Sequence, residues 1–349
     1  MKIQKILGSI VIATTLSLVA ANSPTYANDD TIRDFTRISG ESRYHTAIKV
    51  SQTGWNSSST VIIASGENFP DALAGAPLAK KLKAPILLVK KSSIDADVLK
   101  EMKRLGVKKA IILGGTGTIS STVENKLKSL ATVERIKGEN RYETAENIAL
   151  EVGGSTAVVA NGASFADSLA IASYAAQKGM PILLTTPSEI RFTQKYSNYI
   201  VVGGTKAVSD RVLNKLKQTG AIRVSGEDRY GTMKAVVDKY YPATNTVPLV
   251  ASGASYADAL TGSVYAANKG VPVLLVAKDR LPAATKKVIE NKKMPSLKVV
   301  GGEAAVSKYA LGATKPVVET VSKTVESAEE ELVEKAKEYL GAPYVFGGT

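Results

Sequence analysis

The octet Arg37-Ile-Ser-Gly-Glu-Ser-Arg-Tyr44 returns as Arg135-Ile-Lys-Gly-Glu-Asn-Arg-Tyr142 and as Arg223-Val-Ser-Gly-Glu-Asp-Arg-Tyr230. Its charged and aromatic residues are Glu41, Arg43 and Tyr44, then Glu139, Arg141 and Tyr142, then Glu227, Arg229 and Tyr230. A guanidinium fork suits the phosphate or carboxylate groups of a polymer, and a tyrosine ring stacks on a sugar face. The same residues allow a purely architectural reading, in which a Glu–Arg bridge fixes one unit against the next and Tyr plugs the interface. A second recurring group is Asp71, Asp167 and Asp258, each one turn before an Ala/Leu-rich stretch. A carboxylate there is expected to cap the helix, accepting free backbone N–H groups and complementing the helix dipole. The rival is a hydrolase whose active site lies in the repeats and is built on these aspartates. No second carboxylate recurs beside them to share acid–base work.

Other chemistry is excluded by composition. The chain has no Cys, which removes disulfides, thiolate metal sites and thiol nucleophiles. Its one histidine, His45, leaves no room for a His-rich catalytic metal site, so no metal is expected, and Glu143 and Gly231 stand at its place in the other octets. Gly114-Gly-Thr-Gly-Thr-Ile-Ser120 could pass for a phosphate loop. Its counterparts, Gly203-Gly-Thr-Lys-Ala-Val-Ser209 and Gly301-Gly-Glu-Ala-Ala-Val-Ser307, lack the third glycine, and none ends in Gly-Lys-Ser/Thr. These loops are expected to be tight strand-to-helix turns with Ser120, Ser209 and Ser307 as caps, and no nucleotide or other cofactor is expected.

The elements that must position these residues repeat with them. The octets are spaced by 98 and 88 residues. Between them, in constant order, come Ala64-Ser-Gly-Glu-Asn-Phe-Pro-Asp-Ala-Leu73 and its counterparts at 160–169 and 251–260. The segments Pro85-Ile86-Leu87-Leu88, Pro181-Ile182-Leu183-Leu184 and Pro272-Val273-Leu274-Leu275 follow, and then the Gly-Gly loops. Units near 90 residues exceed solenoid repeats and can each be a small domain. Residues 60–64, 86–89 and 110–113 read as buried parallel strands, and 71–82 and 94–105 as helices, the second stopped by Gly106. Proline opens the strands where its missing N–H matters least. The alternation predicts an α/β fold of three tandem parallel-sheet units, with the Gly-containing loops at the carboxyl edges where ligands usually sit.

The expected boundaries are a leader at 1–27, repeat units at 31–133, 134–221 and 222–314, a linker at 315–330 and a C-terminal segment at 331–349. Lys2 and Lys5, an uncharged run from Ile6 to Ala21 and Thr25-Tyr26-Ala27 have the layout of a cleaved secretory signal peptide. The alternative, a retained anchor, needs about 20 apolar residues; no membrane attachment is expected after cleavage. The net charge of +13 divides unevenly, with +14 on residues 28–314 and −3 on 315–349. An exported basic body points to a polyanionic partner. Nucleic acid is not expected, because the chain is only 6% aromatic and has no reader motif.

On the three Gly-Glu-x-Arg-Tyr blocks, the three Gly-x-x-[Phe/Tyr]-x-Asp-x-Leu blocks and the three Pro-[Ile/Val]-Leu-Leu strands, residues 33–314 resemble the type 2 cell-wall-binding repeats of Gram-positive surface proteins, the clostridial and bacillar kind above all. The resemblance implies a pseudo-threefold arrangement of Rossmann-like or Toprim-like units, a location at the cell wall, and noncovalent attachment to an anionic, teichoic-acid-like secondary wall polymer. It assigns that binding to Arg43, Arg141 and Arg229 and to segments 85–88, 181–184 and 272–275. One departure is Thr232-Met233, where the other repeats have Thr-Ala. The end, Gly341-Ala-Pro-Tyr-Val-Phe-Gly-Gly-Thr349, resembles the opening of the NlpC-type peptidoglycan endopeptidases. That resemblance implies Tyr344 in a substrate cleft, peptidoglycan as substrate, and a nucleophilic Cys just beyond residue 349. With neither that Cys nor its activating His present, the polypeptide itself is expected not to cleave peptidoglycan.

Overall fold

The computed structural model of the chain describes residues 34–217, 220–311 and 332–333. The expected leader at 1–27, the linker at 315–330 and Tyr344 lie outside them.

Strand β1 (Phe35–Ile38) and helix α1 (Arg43–Gly54) come first. They lead into β2 (Thr60–Ser65), a short 3₁₀ turn (Pro70–Ala72), α2 (Gly75–Lys81), β3 (Ile86–Val89), α3 (Ala96–Leu105), β4 (Lys109–Leu113) and α4 (Ser121–Lys128). The pattern repeats as β5 (Thr132–Ile136), α5 (Arg141–Val152), β6 (Thr156–Asn161), α6 (Ala166–Lys178), β7 (Ile182–Thr185), β8 (Asn198–Val202) and α7 (Asp210–Lys217). It returns as β9 (Ala221–Val224), α8 (Arg229–Tyr240), β10 (Leu249–Ser252), α9 (Ala257–Lys269), β11 (Val273–Val276), α10 (Ala283–Asn291) and β12 (Leu297–Val300), and closes on a 3₁₀ turn (Lys308–Leu311).

Local rules account for most boundaries. Every residue of β3, β7 and β11 is buried, as parallel strands covered on both faces require. Pro85, Pro181 and Pro272 precede these strands, which are sheet edges, and their carbonyls accept from Ile62, Val158 and Leu249 N–H at 3.0, 2.8 and 3.0 Å. Asp95 caps α3 by accepting from Asp97 N–H, and Gly106, at φ 72°, ends it. Ser120 caps α4 through Val123 N–H, and Ser209 serves α7 in the same way through Val212 N–H. Ser307 departs from this pattern, with a short 3₁₀ turn after it and no partner for its buried hydroxyl.

The sheets run β3-β2-β4-β5, β7-β6-β8-β9 and β1-β12-β10-β11, all with parallel neighbours. Their outermost members show how the units join. Strand β5, which leads into the second octet, pairs with β4 of the first unit, placing Arg135 opposite Ile112. Strand β9 pairs likewise with β8 of the second unit, and β1 returns from the start of the chain to pair with β12 of the third, Arg37 opposite Val299. Each sheet is therefore completed by the repeat that follows it, and the ring closes between residues 260 positions apart. Helices α2, α6 and α9 pack pairwise around the centre, while α1, α5 and α8 lie against α9, α2 and α6 of the preceding units. Met233, the departure from Thr-Ala, is fully buried in α8.

Candidate functional site

The strand order reverses between the paired neighbours β2 and β4, as it does between β6 and β8 and between β10 and β12, so the connections that leave them run to opposite sides, the arrangement that opens a crevice at the carboxyl edge. There the strand-end glycines Gly114, Gly203 and Gly301 have φ of 103°, 106° and 111°, a region that favours glycine. They are also crowded: a Cβ at any of the three would stand 2.5 Å from Oδ2 of Asp71, Asp167 or Asp258 respectively.

This changes the role expected of the aspartates. Asp167 and Asp258 are the second residues of α6 and α9, whose flanking residues Phe165 and Tyr256 have helical backbones and no side-chain cap bond. Asp71 lies inside the 3₁₀ turn. The carboxylates sit in the first turn, where the helix dipole favours them, but they turn toward the Gly-Gly loop and the next repeat instead of capping. Asp71 Oδ2 accepts from Thr118 Oγ1 at 2.8 Å. Burial pushes Asp167 and Asp258 up from the ordinary carboxylate range, opposed at Asp167 by the Thr232 hydroxyl and Arg229 and at Asp258 by Arg43.

The octet arginines meet these aspartates from the other side. Arg43 Nη1 donates to Gly66 O at 2.5 Å, Arg141 Nη1 to Gly162 O at 2.9 Å, and Arg229 Nη1 to Gly253 O. Those carbonyls end β2, β6 and β10 of the arginine's own unit. The guanidinium groups of Arg43 and Arg229 also lie over rings of the preceding unit, Tyr256 at 5.9 Å and Phe165 at 5.7 Å. Arg43 and Arg229 thus reach the preceding unit through an aromatic face, and among the described residues no ion pair links Glu41, Glu139 or Glu227 to the three arginines. Tyr142 and Tyr230 press on Gly162 and Gly253, where a Cβ would meet the ring at 2.7 and 2.8 Å, and Tyr44 does the same at Gly66. At the centre Phe69, Phe165 and Tyr256, one from each repeat, have ring centroids 5.4 to 6.3 Å apart. The Tyr256 hydroxyl donates to Ser65 O at 3.1 Å, and burial pushes its pKa up to about 12.

Two of the resulting inter-repeat clefts are open cavities. One, of about 380 Å³, is lined by Glu41, Arg43, Asp258, Lys278 and the loop at Gly302–Ala305. The other, of about 370 Å³, is lined by Asp167, Lys206, Glu227, Asp228, Arg229 and Thr232. The leading arginine of each octet, absent from the sequence-derived site, holds the loop that forms one wall. Arg37 Nη1 donates to Gly301 O and Val306 O at 2.7 and 2.9 Å, Arg135 Nη1 to Gly114 O at 2.7 Å, and Arg223 Nη1 to Gly203 O at 2.6 Å. Their recurrence in all three octets was the available signal. The Pro-[Ile/Val]-Leu-Leu segments lie elsewhere, all twelve residues buried in the sheet edges. His45 also lies outside the clefts. It shares a grouping with Asp95 and Asp97 whose ligand atoms are within 4.8 Å of one another. Lys100 Nζ already stands 2.7 Å from Asp97, and the amino ends of α1 and α3 oppose a cation there.

Ring and clefts define a tandem-repeat module of three α/β units, with an octet arginine and an aspartate of the preceding unit sharing a cleft at two of the junctions. The chain belongs to the cell wall binding domain 2 (CWB2) family, which residues 37–124, 135–213 and 223–311 match. It is 36% identical over 305 residues to N-acetylmuramoyl-L-alanine amidase LytC of Bacillus subtilis, covering 84% of this chain and 60% of that one. It is also 36% identical to the amidase enhancer of the same organism, covering 80% of this chain and 40% of the relative. The chain thus spans about half the length of these relatives. Among solved structures, Cwp6 from Clostridium difficile matches with a TM-score of 0.75 at 28% identity, over 84% of this chain and 50% of that chain. Cwp8 from the same organism matches with a TM-score of 0.72 at 32% identity, over 80% and 51%. Among the described residues no helix is long and apolar enough to cross a membrane.

Proposed function

We propose that the three repeats hold a secreted protein on the Gram-positive cell surface by gripping an anionic secondary wall polymer in the inter-repeat clefts, and so bring a peptidoglycan hydrolase to its substrate. The observation that carries this reading is the threefold recurrence of one constellation, an Arg from one repeat opposite a Gly-Gly loop and Asp from the preceding repeat. Recurrence favours binding over catalysis, because linked sites gain avidity while a second active site adds only turnover. The charge of +14 on residues 28–314 supports a polyanion as partner. Arg43, Arg141 and Arg229 are the contact candidates, each with one Nη already committed to a carbonyl. Tyr44, Tyr142 and Tyr230 serve by holding Gly66, Gly162 and Gly253 in place. The buried Pro-[Ile/Val]-Leu-Leu segments contribute by positioning the loops at their carboxyl ends.

The hydrolase half of the proposal rests on membership of this family, on two relatives whose names concern an amidase, and on the NlpC-like phrase ending at Thr349. It comprises the leader at 1–27, the repeat boundaries at 31–133, 134–221 and 222–314, and a peptidase segment from 331 that includes Tyr344. The test is co-sedimentation of the purified chain with intact Gram-positive walls and with walls stripped of secondary polymer by acid. Retention on intact walls alone is expected, with no fall in wall turbidity. Equal retention on both would remove the polymer from the proposal, and clearing of the walls would favour an active site in the repeats.

A further inference from the structure

The three clefts are alike in backbone but not in the state of their central carboxylate. The Gly-Gly loops align as Gly-Gly-Thr-Gly-Thr118, Gly-Gly-Thr-Lys-Ala207 and Gly-Gly-Glu-Ala-Ala305. In the first cleft Thr118 donates to Asp71 at 2.8 Å. In the other two the position facing the carboxylate carries a methyl group. Ala207 Cβ and Ala305 Cβ lie 3.1 and 3.3 Å from where a Cβ on Gly203 or Gly301 would stand, beside Asp167 and Asp258 Oδ2. Asp167 has the Thr232 hydroxyl as a neighbour. Asp258 is 7% exposed and its carboxylate receives no hydrogen bond from any described residue, while its cleft stays open. A carboxyl group without a donor from the chain and facing an open cleft takes its hydrogen bonds from water or from a ligand there.

We propose that the clefts are unequal, that Thr118 plugs the first, and that the cleft between Asp258 and Arg43 is the primary site, taking a saccharide with a free hydroxyl and an anionic group. The inference rests on the wall-binding reading above. The hydroxyl pairs with Asp258. The anionic group meets Arg43, which Gly66 O and Tyr256 hold in place at the cleft wall, and Lys278, which is exposed at the mouth. Glu41 on the rim repels anions and so favours entry by the hydroxyl face. This cleft exists only because β1 closes the ring, since Arg43 follows directly on that strand.

The experiment measures affinity of the full chain for two probes, a glycerol-phosphate glycopolymer and a uronate-bearing glycan, which separate phosphate from carboxylate as the anion. Ala305→Thr places in the third cleft the hydroxyl that Thr118 places in the first, in a loop that already accepts threonine there. It is expected to weaken binding at least about tenfold, or 1.4 kcal/mol. Ala207→Thr should weaken it less, and Thr118→Ala should leave it within about twofold of the parent or tighten it. Asp258→Asn, which leaves the loop untouched, is expected to lose about tenfold as well. Parental affinity in both Ala305→Thr and Asp258→Asn, or a loss in Thr118→Ala as large as theirs, overturns the proposal. A parent that binds neither probe nor intact walls fails the wall-binding reading instead.

Discussion

At the residue scale, each cleft pairs an arginine and an aspartate that the chain sets far apart, and burial makes the pairing costly to the aspartate. Asp258 and Asp167 are both raised, so the folded chain holds their protons more tightly than the unfolded chain does. Stability from these groups is then fully present below the ordinary carboxylate range and is lost as pH rises through the raised value, the reverse of a carboxylate held down by a salt bridge. Glu124, held below its usual range by Arg135 and Lys128, has the opposite sign, so the comparison must be made against a variant. Between about pH 4 and pH 7, Asp258→Asn should gain on the parent in thermal melting, because its side chain has no charge to desolvate. A constant difference across that range would show that Asp258 does not titrate differently on folding. The spacing places these aspartates one turn before a helix as its caps, whereas Asp167 and Asp258 stand within the first turn of theirs and Asp71 within a 3₁₀ turn. Which way the carboxylates turn was not readable, since the glycine loop that receives each one lies 36 to 47 positions further along the chain.

At the element scale, β2, β3, β4 and α3 follow from local rules, Val/Ile/Leu runs for the strands and Asp95 with Gly106 for the helix ends. The strands that lead into the octets, β1, β5 and β9, did not stand out. They are four or five residues long, half polar and at sheet edges, as in Thr132-Val-Glu-Arg-Ile136 with its alternating exposure. Parallel pairing with the preceding unit leaves no local signature, because partners meet only through a long crossover. These short strands nevertheless join the units. Ile38→Ala in β1 should cost about 2–4 kcal/mol, as for other buried Ile-to-Ala changes, since Ile38 is 8% exposed. Amide exchange is expected to quicken in β12, its partner, before it quickens in the sheet of β6 to β9. Equal loss of protection in both sheets would mean that the ring unfolds as one unit.

At the scale of the whole molecule, three units arranged as a closed ring turn one recognition motif into several sites at fixed spacing. Attachment through several charged clefts should be steep in ionic strength. Retention on intact walls is expected to fall strongly between 50 mM and 500 mM salt, as the screening length shrinks from above about 10 Å to below about 5 Å. Retention unchanged over that range would point to apolar or hydroxyl contacts as the main source of affinity. The same architecture gives the three clefts different neighbours, with Lys206 beside one, Lys278 beside another and Thr118 within the third.

The amino-acid sequence by itself determined the triplication, the α/β character of each unit and the basic charge of its body. All of these are properties of composition, period and short spacing. Only the tertiary structure decided that each sheet borrows its last strand from the next repeat, that the first strand closes the ring on the last unit, and that Arg and Asp meet between repeats. Those contacts join residues up to about 260 positions apart, and their geometry depends on crossovers and packing that no local pattern encodes.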